Sequence, residues 1–369
     1  MKKLISLALA AVMAFSMVAC SNKSDDSNTA SNENTAGAAE IALVTDVGTI
    51  DDKSFNQGSW EGVVKFATEK GIEHKYYQPA EKSNEAITTA IELAIKGGAK
   101  TVVCPGFLFE VPVYNMQEKY PDVKFIIIDG QPKSSEDENT EYKITDNTQA
   151  IYFAEQEAGF LAGYAAVIEG NRNLGFMGGI AVPAVIRYGY GFVQGAEYAG
   201  KELGLNEGDI KINYTYVGDF VASPDYTAKA AAWYNEGVDV IFVAAGGVGN
   251  SVMQAASTSD KKVIGVDVDQ SSESDTVITS AMKNLQNAVY KTLTSIYDET
   301  FTGGEAVILD AASGDVLLPM ETSKFEVFNQ EKYDEIYSKL SNKEIEIKDE
   351  TFTQKPEELG TTIATVTIK

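Results

Sequence analysis

The chain has 369 residues, with 54 acidic against 30 basic side chains, a single histidine and a formal charge of −24. A body this acidic repels nucleic acid and anionic lipid, and its charge favours a neutral or cationic ligand over a phosphorylated or polyanionic one.

Lys2 and Lys3 precede an apolar run from Leu4 to Val18, and Ala19 and Cys20 follow. A basic start, a short apolar core and a small residue before the cut predict a secretory signal over residues 1–19. The alternative is an uncleaved anchor, but the run falls short of the roughly 20 residues that span a bilayer. "MVAC" also resembles the lipobox of bacterial lipoproteins, which implies a lipid on Cys20 and a body tethered to a membrane outside the cytoplasm. Residues 20–39 are small and polar without apolar periodicity, so they predict a flexible tether. Cys104 within "TVVCPG" then stands alone as a small buried hydrophobe, and no disulfide framework or Cys-based metal site follows.

In the body, apolar β-type runs alternate with helical stretches. The predicted strands are 41–46, 74–78, 100–106, 124–130, 174–179, 211–218, 238–246 and 261–267, with amphipathic helices such as 84–96, 184–203 and 226–236 between them. Near-continuous runs such as "FIIID" and "VIFVAA" suit strands covered on both faces, and the alternation argues for parallel sheets with right-handed crossovers. The series repeats: "GGAKTVVCPG" before "VKFIIIDG" matches "EGVDVIFVAAGG" before "KKVIGVDVDQ". Two similar α/β domains are therefore expected, with a ligand beyond the carboxyl ends of their strands. The polar groups at those ends are Asp46, Asp129, Asp219 and Asp267, interspersed with Gly106, Gly218, Gly246 and Gly247.

Three chemistries compete for these residues. "DVDQSSESD" starts like a calcium loop at Asp267 but has Ser272 where the loop needs Gly and Ile278 where it needs Glu. Asp46, Asp51 and Asp52 lack an accompanying phosphate-cradling motif, and adjacent acids also suit a helix start. His74 lies at a strand start and there is no G-x-S-x-G elbow, which argues against a His-dependent triad. An Asp-pair glycosidase stays open by residue type, although nothing sets one carboxyl in an apolar pocket. Binding fits best: carboxylates accept hydroxyl hydrogens and aromatics stack on flat rings. Phe55 and Phe220, just past strand ends, are the candidate stackers; for Phe55 a core-facing position is the competing reading.

"ALVTDVGTIDDKSFNQGSWEG", "NEGVDVIFVAAGGVGNSV", "VIGVDVDQ" and "TSAMKN" together resemble the basic membrane protein family of lipoproteins, and within it the purine nucleoside receptor type. The resemblance implies a type I periplasmic-binding-protein fold, with two Rossmann-like lobes and parallel sheets joined by a three-segment hinge. Crossovers would fall near Asn147, Asp269 and Gly303. The N-terminal lobe would then be 40–147 with 270–303, and the C-terminal lobe 148–269 with 304–369. It further implies a nucleoside clamped between Phe55 and Phe220, with Asp46 and Asn56 on the base. Asp129, Asp267 and Lys283 would hold the ribose, and Gly247 would allow close backbone approach. The expected protein is a monomeric, lipid-anchored component of an ABC importer, delivering its ligand to a membrane permease, without cofactor, metal, catalysis or nucleic acid. A sugar-binding importer component and a lipoprotein presenting a signal to a sensor are the alternatives.

Overall fold

The computed structural model describes residues 38–46, 48–137 and 139–369; the signal segment, Cys20 and the tether up to residue 37 lie outside the described residues. Ala39, expected in the tether, is buried, so the packed body begins slightly earlier than its apolar periodicity suggests.

The first half runs β1 (Ile41–Val44), α1 (Phe55–Lys70), β2 (His74–Tyr77), α2 (Asn84–Lys96), β3 (Thr101–Pro105), α3 (Glu110–Lys119), β4 (Lys124–Ile128) and β5 (Thr148–Phe153). The second repeats the alternation with α4 (Glu155–Ile168), β6 (Asn173–Gly178), α5 (Pro183–Glu202), β7 (Ile210–Tyr216), α6 (Pro224–Asn235), β8 (Val240–Ala244), α7 (Val248–Ser259), β9 (Lys262–Asp267) and β10 (Val277–Lys283). The chain ends with α8 (Leu285–Tyr297), β11 (Ala306–Leu309), β12 (Val316–Leu317), α9 (Gln330–Ser341) and β13 (Ala364–Ile368).

These strands form two sheets, ordered β11-β5-β4-β3-β1-β2 and β12-β10-β9-β8-β6-β7-β13. Pairing is parallel throughout except between β10 and β12. The duplicated sequence is visible in the order itself, since β2-β1-β3-β4-β5 corresponds to β7-β6-β8-β9-β10. In each sheet the order reverses beside the first strand of its half, which leaves a crevice beyond the carboxyl ends. Every residue of β1, β3 and β8 is buried, as their unbroken apolar runs require of strands covered on both faces.

The chain passes between the lobes later than expected. β5 pairs with β4 and β11 in the first sheet, and β10 pairs with β9 in the second. The crossings therefore follow Phe153, Lys283 and Leu309 rather than lying near Asn147, Asp269 and Gly303. The reason is that each crossing strand keeps its hydrogen-bond ladder with the lobe it is leaving to the end of its length. Thus 148–153 and 306–309 belong with the first sheet and 277–283 with the second.

Beneath the second sheet Phe176 packs against Tyr214, Phe242 and Phe192 with ring centroids 4.6, 5.5 and 6.5 Å apart. There α4 and α5 meet backbone to backbone. A Cβ on Gly159 would lie 2.1 Å from the Tyr188 carbonyl oxygen, and one on Gly195 would lie 2.0 Å from that of Phe160. This contact brings the first turns of α4 and α5 together beside the cleft.

Candidate ligand-binding cleft

A cavity of about 380 Å³ opens at the carboxyl ends of both sheets, within the range of small-molecule sites. All eight residues named from the sequence line it. Asp46 follows β1, Asp129 follows β4, Asp267 ends β9 and Lys283 ends β10. Phe55 opens α1, Phe220 lies between β7 and α6, and Gly247 immediately precedes α7. Asp129 and Asp267, at equivalent strands of the two halves, both adopt left-handed backbone, with φ of 55° and 66°. Such strain is tolerated best by Asp and Asn among non-glycine residues, and it concentrates at functional sites.

At one end the opening motif folds on its own acids. Asp52 accepts from the backbone N–H of Ser54, Asn56 and Gln57 at 2.9, 3.0 and 3.1 Å. It thereby satisfies the first donors of α1 and fills the helix-start role. The residue in the cap position, Ser54, makes no capping bond with its side chain; its hydroxyl donates instead to Asp267 Oδ2 at 2.5 Å. Asn56 lines the cleft, but both hydrogens of its amide are given away, to Asp46 Oδ1 and Asp52 Oδ2, each at 3.0 Å. Asp46 Oδ1 also takes the Gly48 N–H at 2.6 Å. Burial raises the carboxyls of Asp46 and Asp52 above the usual range, while these hydrogen bonds pull them back.

The rings flank the cavity. Phe55 is half-buried, and Lys283 Nζ stands 4.6 Å from its ring centre. Phe220 is also half-buried and rests on Gly179, where a Cβ would come within 2.3 Å of the ring. Gly247 has ordinary helical backbone, and what crowds it is the Phe220 carbonyl oxygen, 3.1 Å from where its Cβ would be.

Beside the motif lies a buried cluster of charges. Lys283, 2% exposed, donates from Nζ to Asp129 Oδ2 and, at 3.2 Å, to Glu155 Oε1; Asp267 Oδ1 lies 3.6 Å away. Tyr188 donates its hydroxyl to Asp267 Oδ1 at 3.3 Å. Asp129 Oδ1 is buried and has no hydrogen-bond partner. Burial pushes the Asp129 carboxyl upward; Lys283 opposes that push and Glu155 adds to it. Burial also works against the ammonium of Lys283, but Asp129, Glu155 and Asp267 outweigh it and hold Lys283 protonated. Ser54, Glu155, Arg187 and Tyr188 had no signal in the sequence that set them apart. Arg187 reads as a charged residue in the first turn of the predicted helix 184–203 and Glu155 falls in no predicted element; only the close α4–α5 contact makes them neighbours. Among the described residues no group of three or more His, Cys, Asp and Glu is placed to hold a metal ion.

Two equivalent parallel-sheet lobes around a cleft at their strand ends define the type I periplasmic-binding-protein fold. A solute-binding protein of an ABC transporter system from Aeropyrum pernix K1 is similar over 87% of this chain and 90% of that one, at 24% identity and a TM-score of 0.66. A solute-binding protein from Conexibacter woesei DSM 14684 is similar over 85% and 99%, at 19% identity and a TM-score of 0.66. The sequence profile of the family described as ABC transporter substrate-binding protein PnrA-like matches residues 39–351, and the chain belongs to that family. The ABC transporter nucleoside-binding protein BmpA of Lactococcus lactis subsp. cremoris is 29% identical over 88% of this chain and 93% of its own length. Basic membrane protein A of Borreliella burgdorferi is 32% identical over 83% and 86%. The chain is thus a substrate-binding protein of ABC transport, working outside the cytoplasm at a membrane, and not an enzyme. No helix among the described residues is long and apolar enough to cross a membrane.

Proposed function

We propose that this protein captures a nucleoside, with purines preferred, and passes it to an ABC permease while anchored through lipid on Cys20. The observation that carries the reading is the polarity of the cleft: two half-buried phenylalanines at its walls and carboxylates gathered around one buried lysine at one end. Phe55 and Phe220 offer faces to a planar base. One oxygen of Asp46 is occupied by Gly48 and Asn56, which leaves the other to accept an N–H from the base edge. Asn56 therefore orients Asp46 rather than reading the base with its own amide. In the charge cluster, Asp129 Oδ1 and the remaining lone pairs of Asp267 accept ribose hydroxyls, and Lys283 supplies the compensating charge. The nucleoside-binding relative from Lactococcus lactis supports the same solute class. Contacts from both lobes favour the closed state, so hinge closure accompanies capture.

The test is a thermal-shift and calorimetric comparison on the full chain. A purine nucleoside such as inosine is expected to bind and stabilise, whereas its 5′-phosphate is expected to do so little, because carboxylates repel it. Tighter binding of the nucleotide would end the ribose-gripping role of Asp129 and Asp267. Tighter binding of a free pentose or hexose would turn the reading to a sugar carrier.

A further inference from the structure

Glu155 is a buried charged group that the cleft does not use. It opens α4, is 0% exposed and is absent from the cavity lining, yet each of its oxygens meets a cation. Oε1 is 3.2 Å from Lys283 Nζ, and Oε2 is 2.6 Å from Arg187 Nε. Arg187 in turn reaches Glu350, in the segment after α9, with Nη1 2.6 Å from Oε1. An alternating series of charges therefore runs from the C-terminal segment to the cleft: Glu350, Arg187, Glu155, Lys283, Asp129.

An acid in the first turn of a helix also complements the helix dipole, and that role alone would make Glu155 a purely structural residue. The geometry goes further than that role requires. A carboxylate removed from water is costly unless its oxygens are paired, and here the pairs are two cations on different elements, one of them in the cleft. Resting on the hydroxyl-gripping reading above, we propose that Glu155 is a positioning residue for solute capture. By holding Lys283 from outside the cleft, it fixes the ammonium against one oxygen of Asp129 and leaves the other oxygen free for the solute.

The consequence is electrostatic as well as geometric. Around Asp129 stand Lys283 and Asp267 from the second sheet, Glu155 from α4, Arg187 and Tyr188 from α5, and Tyr152 from β5. The ionised form of Asp129 is the one that accepts solute hydroxyls, and burial and Glu155 both raise its titration. Affinity therefore falls as pH drops through that raised range and is full above it. Removing the charge of Glu155 moves this acid limb to lower pH. It also loosens Lys283, and that loss persists at high pH, where Asp129 is ionised in any case.

The experiment compares wild type, Glu155→Gln and Glu350→Gln as full chains, by inosine calorimetry from about pH 5 to about pH 8.5 and by carbon NMR titration of the Asp129 carboxyl without ligand, assigned with Asp129→Asn. Glu155→Gln is expected to weaken inosine about 10-fold at the alkaline end and to lower both the acid limb and the carboxyl titration by about one pH unit. Glu350→Gln removes a more distant negative charge without touching Lys283 and is expected to move both in the same direction by less. An Asp129 titration unmoved by Glu155→Gln overturns the proposal, as does a loss of stability alone with wild-type affinity at the alkaline end. Should Glu155→Gln fail to fold, an unmoved titration in Glu350→Gln overturns it instead. If wild type ignores inosine while the titration still responds to Glu155→Gln, the Glu155 link stands and the nucleoside reading falls.

Discussion

In the proposed reading, neighbouring residues of the opening motif divide the labour between folding and capture. Asp52 spends its oxygens on three backbone N–H groups and the Asn56 amide, while Phe55 turns its ring to the cavity beside Lys283. Truncating each should therefore affect different quantities. Phe55→Ala is expected to weaken nucleoside binding by about 1–3 kcal/mol, the worth of an aromatic–base stack. Its cost in stability should stay below the 3–5 kcal/mol (roughly) of a core phenylalanine. Asp52→Ala is expected to lower stability by about 0.5–2 kcal/mol and to change affinity less. Calorimetry and chemical denaturation of both variants check this; Phe55→Ala unfolding the protein while Asp52→Ala abolishes binding would reverse the assignment. The strand-end aspartates were legible because a run such as "FIIID" ends its strand at a named residue. Tyr188 and Glu155 were not, because their partners come from β9 and β10, remote in sequence. Asn56, expected on the base, lines the cleft, but its amide is spent on Asp46 and Asp52, a pairing with no mark in the sequence.

Among the elements, α4 and α5 show where pattern reading fails. In α4 all but one residue is buried, so it has no polar face and no amphipathic period to find. What it has instead is Gly159 and Gly163 opposite Gly191 and Gly195, spaced four apart on both helices. A Cβ at Gly163 would lie 2.0 Å from the Phe192 carbonyl oxygen, so the helices must separate to admit one. Gly163→Ala is expected to destabilise the protein by about 3 kcal/mol or more, at the upper end of overpacking costs and against the usual gain from replacing a helical glycine. The denaturant midpoint measures this, and an unchanged or raised midpoint would show that the helix contact is looser than described. Strands β5, β10 and β13 escaped for a related reason, while β11 escaped although its run "AVIL" is wholly apolar. Polar residues interrupt "TQAIYF" and "VITSAMK", whereas the uninterrupted runs of β1, β3, β4 and β8 announced themselves.

In the molecule as a whole, the bonds that join the two lobes fall into two kinds. Lys283 to Asp129 and Ser54 to Asp267 join lobes through bonds that each end on a residue lining the cleft. Gln270 joins them without lining the cleft: Nε2 donates to the Lys53 carbonyl at 2.7 Å, while Oε1 accepts from Val266 N–H at 3.1 Å within its own lobe. Gln270 is 2% exposed, and a Cβ at Gly265 would lie 2.4 Å from its Oε1, so the side chain has a fixed seat. Gln270→Met keeps the volume and removes both bonds, which isolates lobe closure from solute contact. If the closed form alone binds, apparent affinity scales with the fraction closed, and losing a bond worth about 0.5–1.5 kcal/mol reduces it by at most roughly 2- to 12-fold, less the more the empty protein is closed. The decisive feature is uniformity. Inosine and its free base should weaken by the same factor in Gln270→Met, with a larger radius of gyration for the empty protein in solution scattering. Truncating a residue proposed to grip the ribose, such as Asp267, should instead penalise the nucleoside far more than the base. A selective loss in Gln270→Met, with scattering unchanged, would mean that Gln270 shapes the site locally and that the lobes are held closed by the cleft residues themselves.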